Sequence, residues 1–297
     1  MRKILFFAMA VAISMTSCES GITEEAATSA KTVKVHVSMS GFDIETATRT
    51  TTTADTAGVS SIVFAVIDGQ GKIIYDTLQS KGSEGFGTVS FELTEGTYTF
   101  AAEANKGDRV ATIDVSGGKA IATFLTDVAY ETFATTQQVT VTAGEGVDVL
   151  MILKRITAQL SLATKDNQPE EAKTLQIFVG DTLKAAYDAF SIDIASGTME
   201  GFGVNGHLAR KWSRGTSDAG KPTTQNCALF LDSVQQNLPV KIAVLDANGA
   251  VIKSHTIASV PFKQNCKTII TGEFYNTPAN GSFQFDTNWS EDVNGGW

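Results

Sequence analysis

Apolar and polar residues alternate along most of this chain. In TVKVHVSM (32–39), Val33, Val35, Val37 and Met39 are separated by polar side chains, the period of a strand with one buried face. SSIVFAVIDGQGKIIYDTL (60–78) reads as a hairpin with an Asp-Gly turn. VSFELTEGTYTFAAEA (89–104) reads as a second, bending at Glu95 and Gly96, and QVTVTAGEGVDVLMIL (138–153) as a third, turning at Gly144 to Gly146. Residues 174–180 and 228–234 read as strands, 239–257 as a hairpin, and 268–275 and 282–289 as closing strands. Helical spacing is best at 124–137 and 168–174. Val, Ile, Thr and Phe dominate the runs, as pleated surfaces prefer, and the 26 glycines punctuate them at turns. The pattern predicts an all-β chain of sandwich type. "AVIDGQGKII" (65–74) echoes "AVLDANGAVI" (243–252), which fits two domains that each carry such a hairpin. The boundary is placed at Lys154 and Arg155, between VDVLMIL and ITAQLSLAT.

The start of the chain has a different pattern. Arg2 and Lys3 precede a short apolar run, ILFFAMAVAISMTS (4–17). A bilayer-spanning helix needs about 20 apolar residues, so this run has the size and flanks of a secretory signal peptide. Met15, Thr16 and Ser17 before Cys18 resemble the bacterial lipobox, whose cysteine is acylated and becomes the first residue of the mature protein. Residues 19–31 are small, polar and aperiodic, as a flexible tether would be. The expected organisation is a signal peptide over 1–17, a lipidated tether over 18–31, an N-terminal domain over 32–153 and a C-terminal domain over 154–297.

Charge narrows the partners. Formal net charge is −9 over 297 residues; loss of Arg2 and Lys3 leaves 21 basic against 32 acidic residues, a net of −11. Phosphate neutralisation needs clustered Lys and Arg, so nucleic acid is not an expected partner. His207, Arg210, Lys211, Trp212 and Arg214 do cluster, in a long Gly/Ser-rich stretch that reads as an exposed loop able to contact a glycan, a host protein or a membrane. Cys227 and Cys266 each follow an asparagine at the start of an apolar run. They could bridge two strand starts in an oxidising compartment, or serve as two small buried hydrophobes.

Catalytic constellations are missing from the sequence. There is no HExxH, GxSxG or Walker loop, and no Cys/His cluster with metal-ligand spacing. GFGVNG (201–206) matches GxGxxG, but its flanks are loop-like, whereas a dinucleotide site needs a strand before and a helix after. Neither an enzyme, a cofactor nor a metal is expected.

Taken in order, these features resemble the type V fimbrillins, lipoprotein pilins of Bacteroidales-type bacteria that include stalk, tip and anchor subunits. The residues carrying the resemblance are Cys18, the strand 32–39, "ATRTT" (47–51), "KRITAQLSL" (154–162) and "NCKTIITGEFY" (265–275). The resemblance implies two tandem transthyretin-like β-sandwich domains. It implies a surface fimbrial subunit exported as a lipoprotein and cut by an arginine-specific protease after Arg49, before Thr50. That cut would release the lipid and the strand bearing Val33, Val35, Val37 and Met39. The groove left would accept a strand from the next subunit, by β-strand addition. Phe283, Phe285 and Trp289 recur at the same period and are the candidate donor. Partners would be further subunits, as self-polymer or as anchor and tip proteins, with the outer membrane holding the lipid before processing. The alternative is a fimbrial anchor or tip, or a non-polymerising adhesin or glycan-binding lipoprotein of the same fold.

Overall fold

The computed structural model describes residues 31–41, 59–107, 110–125, 129–144, 146–180, 190–200, 207–213, 219–276 and 286–290. These residues form strands and connections, with no helix among them. The first nine strands are β1 (Val33–Ser40), β2 (Ser61–Ile67), β3 (Ile73–Ser80), β4 (Thr88–Leu93), β5 (Gly96–Asn105), β6 (Ala111–Ser116), β7 (Lys119–Phe124), β8 (Thr132–Val141) and β9 (Val147–Ile152). The short β10 (Lys154–Arg155) leads to β11 (Ala158–Asn167), β12 (Thr174–Val179), β13 (Phe190–Asp193), β14 (His207–Ser213) and β15 (Pro222–Leu229). Then come β16 (Gln235–Leu245), β17 (Val251–Lys263), β18 (Lys267–Gly272) and β19 (Asp286–Ser290).

Two sandwiches follow. In the first, sheet β4-β1-β9 faces sheet β10-β8-β5-β2-β3, and Val35, Val37, Met39, Phe64, Phe100 and Phe133 fill the space between them. In the second, sheet β15-β11-β18-β19 faces sheet β14-β12-β16-β17 over a core of Leu160, Leu162, Ile177, Ile242, Phe262 and Phe274. The topologies match. Each sandwich starts with a central strand, β1 or β11, that pairs antiparallel on one side (β4 or β15) and parallel on the other (β9 or β18). Each then sends its second strand, β2 or β12, into the opposite sheet.

A third apolar cluster joins the two halves. The outer face of β2 and β5 is covered by sheet β13-β7-β6. That small sheet is of mixed origin, because Phe190–Asp193, from the region expected to be C-terminal domain, pairs with β7. Phe230, beyond β15, stacks on Phe124 with ring centres 5.5 Å apart and lies 5.5 Å from Phe190.

The structure corrects several local readings. The runs 89–104 and 138–153 are not hairpins. At Thr94–Glu95 the chain passes from one sheet to the other, since β4 pairs with β1 while β5 pairs with β2 and β8. The Tyr98 hydroxyl fixes that corner by donating to the Thr94 carbonyl at 3.0 Å. The chain switches sheets again between β8 and β9. The helical spacing at 124–137 gives way to β8, whose β-branched run pairs along its whole length with β5. Instead of a helix at 168–174, residues 168–173 form a turn held by the Gln168 amide on the Ala172 carbonyl at 2.9 Å, and Thr174 opens β12. The reading of 228–234 as a strand holds only to Leu229, because Phe230 and Leu231 then anchor in different cores.

The internal echo has a local cause. Asp68 Oδ1 accepts the amides of Gln70 and Lys72 at 3.0 and 2.8 Å. Asp246 Oδ1 accepts those of Asn248 and Ala250, both at 2.8 Å. Both turns close on a left-handed glycine, Gly71 (φ 80°) and Gly249 (φ 81°), where other residues would be strained. Yet β2-β3 and β16-β17 occupy different places in their sandwiches, since β16 is the topological counterpart of β5. The echo records shared turn chemistry, while the duplication lies in strand order.

Candidate functional site

The candidate site is the first strand and the slot it fills. β1 is the middle strand of its sheet and is paired along both edges. Val33 to Ser38 run antiparallel to Leu93 to Thr88, and Val35 to Ser40 run parallel to Val147 to Ile152. Alternation puts Val33, Val35, Val37 and Met39 inward, at 5% exposure or less, and each such burial is worth about 1.5–3 kcal/mol. On the outer face His36 Nδ1 lies 2.9 Å from Ser90 Oγ, and Thr32 donates to Glu92 at 2.7 Å. At its far end the Ser40 carbonyl accepts the Leu153 amide at 2.8 Å. Gly41 follows with φ 98°, and a Cβ there would run into the Leu153 carbonyl oxygen. Without β1, β4 and β9 would stand about 10 Å apart, twice the strand spacing, with two unpaired backbone edges facing each other.

Buried charges gather where the two sandwiches meet. Arg155, on β10, pairs with Glu131 and donates to Asn265 Oδ1 at 3.3 Å. Lys106 holds the other Glu131 oxygen at 2.8 Å. The Arg155 guanidinium lies over the Phe133 ring, 5.3 Å from its centre. Burial lowers the Arg155 pKa, and Glu131 opposes the shift. Arg155 thus joins the start of β8 in the first sandwich to the loop before β18 in the second.

Glu103 lies on the face of β5 turned toward the third cluster and is fully buried. Asn105 Nδ2 donates to its Oε1 at 3.1 Å, and Oε2 has no partner among the described residues. Burial pushes its pKa up to about 8, against the Asn105 hydrogen bond, which lowers it. The folded protein therefore holds this proton where the unfolded chain releases it near pH 4.5. Between those values the native state binds more protons, so stability falls as pH rises, by up to about 1.4 kcal/mol per unit. Glu103→Gln should flatten the pH 5–8 slope of the denaturation midpoint and raise the midpoint at pH 8. An unchanged slope would refute the assignment.

The other sequence candidates are placed as follows. Cys227 pairs with Leu160 on β11, and Cys266 precedes β18 on the far side of the same strand. The considered disulfide is not made. Both are buried thiols with a strand between them, a separation near 10 Å against the roughly 4.4–6.8 Å a disulfide requires. His207, Arg210, Lys211 and Trp212 do not lie on a loop but on β14, which pairs with β12. An unpaired edge of β12 satisfies the backbone of this polar stretch, which composition alone marked as loop. Trp289 sits on β19, opposite Thr268 of β18 in the chain's own sheet. Cys18, Arg49, Thr50, Arg214, Phe283 and Phe285 lie outside the described residues, as does GFGVNG. The Glu103 and Arg155–Glu131 groups were missed as chemistry; the available signals were a lone acid inside the apolar run FAAEA and the basic pair opening KRITAQLSL.

Comparison with known proteins decides the family. Residues 24–183 match the family model of fimbrillin-A associated anchor proteins Mfa1 and Mfa2. The chain belongs to this family. Residues 108–297 also match a family of unknown function, DUF6562. Among solved structures, the fimbrial anchor protein Mfa2 from Porphyromonas gingivalis shares the fold, with TM-score 0.51 and 10% identity over 88% of this chain and 98% of that one. So does a candidate adhesin from Bacteroides thetaiotaomicron, with TM-score 0.50 and 12% identity over 87% and 95%. No curated protein matches in sequence. The fimbrillin resemblance and the all-β sandwich fold expected from the sequence are thus found.

Proposed function

We propose that this protein is a fimbrial component of the anchor type, held on the outer membrane by acyl chains on Cys18 and joined there to other fimbrial subunits. The observation that carries this reading is the position of β1. The tether that would run from the lipid enters the fold as the central strand of a sheet, with four buried side chains. A pull on the membrane side is then borne by backbone bonds to both β4 and β9. At about 0.8 kcal/mol per buried CH₂, more than one acyl chain is needed for stable attachment. The role requires no catalysis, metal or cofactor. Replacing Cys18 by serine should move the protein from the membrane fraction to the soluble one while leaving its melting temperature unchanged. Retention of the variant in the membrane would contradict lipid anchoring.

A second reading is supported by the same strand. β1 is one separable segment, and its loss would open a one-strand gap between β4 and β9. Arg49, in the Thr-rich stretch after it, is the candidate cleavage point. In that case the protein is a polymerising pilin subunit, and an incoming strand replaces β1. The family description and the pairing of β19 within its own sheet favour the anchor role.

A further inference from the structure

The outer face of sheet β10-β8-β5-β2-β3 is covered over only part of its area. The small sheet β13-β7-β6 packs on the apolar part, against Val63, Ala65 and Ala101. The part left open is polar. Alternation along β5 and β8 turns Thr97, Thr99, Thr136 and Gln138 outward, with Thr99 opposite Gln138. Two cavities lie along it. One, of about 550 Å³, is floored by these four side chains and walled by the Asp68–Gly71 turn and by Lys119. The other, of about 570 Å³, runs on to the joint of the two sandwiches, between Lys154 of β10, Val234 and Gln264. Thr136 and Ala195 line both, so the cavities form one trough. Each has the size of a ligand site, about 300–1,000 Å³, and clefts between domains are favoured places for such sites.

Charge is uneven along the trough. At the first end the charges are satisfied within the protein. Asp68 accepts amides of its own turn, and Lys119 pairs with Asp193 and Glu200. At the other end Lys154 is exposed, and no acidic residue lines that cavity among the described residues. The buried Arg155 adds a second cation, and its partner Glu131 also faces Lys106. Three cations thus meet one carboxylate at this end, in a chain whose net charge is −9.

We propose that the trough binds a short oligosaccharide that is neutral along its length and ends in one carboxylated sugar, with the carboxylate at Lys154. The hydroxyl and amide side chains of the floor both donate and accept hydrogen bonds, as a row of sugar hydroxyls requires. At the cationic end Ile152 and Val234, 57% and 53% exposed, offer apolar surface to the C–H face of the last ring. A saccharide with a carboxylate on every ring would bring negative charge against Asp68 and Asp193 at the far end. The inference goes beyond the anchor reading and does not depend on it.

Isothermal titration calorimetry of the whole exported chain in mild detergent tests the site, with lactose, sialyllactose and lactose capped by glucuronic acid as the probes. Both acidic sugars carry one terminal carboxylate, and comparing them separates the two sources of that group. At least one should bind with a Kd below about 1 mM, and about fivefold more tightly than lactose. Lys154→Glu should abolish that preference. Thr136→Val removes one floor hydroxyl at nearly constant shape and should weaken every bound sugar about fivefold. Neither side chain is buried, so the melting temperature of each variant should stay level. Absence of binding by both acidic sugars would overturn the proposal, leaving the trough a solvated surface. Equal binding of lactose and the acidic sugars, or a preference that survives Lys154→Glu, would overturn it as well.

Discussion

Replacing Val37 by aspartate is expected to unfold the first sandwich. Val37 has no exposure and stands opposite Val89 on one side and Val149 on the other. A carboxylate there meets only apolar neighbours from both sheets, with no cation or donor to compensate it. The cost is expected to exceed about 4 kcal/mol, a large share of the 5–15 kcal/mol that holds a typical domain. Thermal denaturation should show the transition lost or lowered by more than about 10 °C. His36→Thr, one residue away on the outer face, is the control and should change stability by no more than about 0.5 kcal/mol. If Val37→Asp melted like the native protein, β1 would not be the core strand described above.

Removal of the Arg155 side chain is expected to be nearly as damaging, for an electrostatic reason. Arg155→Ala leaves Glu131 buried with only Lys106 as counter-charge and removes the link to Asn265. Breaking one partner of a buried ion pair typically costs about 3–5 kcal/mol. Chemical denaturation should record that loss, and limited proteolysis should show new cutting near residues 154–157, where the two sandwiches join. Replacing both members, Arg155→Met with Glu131→Leu, should recover most of the stability, since the one charge that then loses its partner, Lys106, is partly exposed to water. A single variant as stable as the native chain would show that the pair does not hold the joint.

The alternating runs were legible because each strand buries one face, and burial of one face is a local property of sequence. The four inward residues of β1 could be named from their period alone. Sheet membership could not. Glu95-Gly96 and Gly144 to Gly146 have the chemistry of reversing turns, and both segments flanking each turn feed the same core. A turn that folds back in the plane of a sheet and one that crosses the core look alike in such a pattern. The basic stretch around Trp212 failed for a related reason. Its strand character depends on the edge of β12, a partner supplied by tertiary structure. Glu103 and Arg155 were hidden because their role comes from burial against distant residues, while in sequence each is one charge among many.

The most direct test of the account is the N-terminus of the protein on intact cells and in assembled fimbriae, read by mass spectrometry. The anchor reading predicts a chain that begins at acylated Cys18 and keeps residues 19–49, with β1 in place. A chain that begins at Thr50 would contradict it, because lipid and first strand would both be gone and the slot between β4 and β9 would be filled by another subunit.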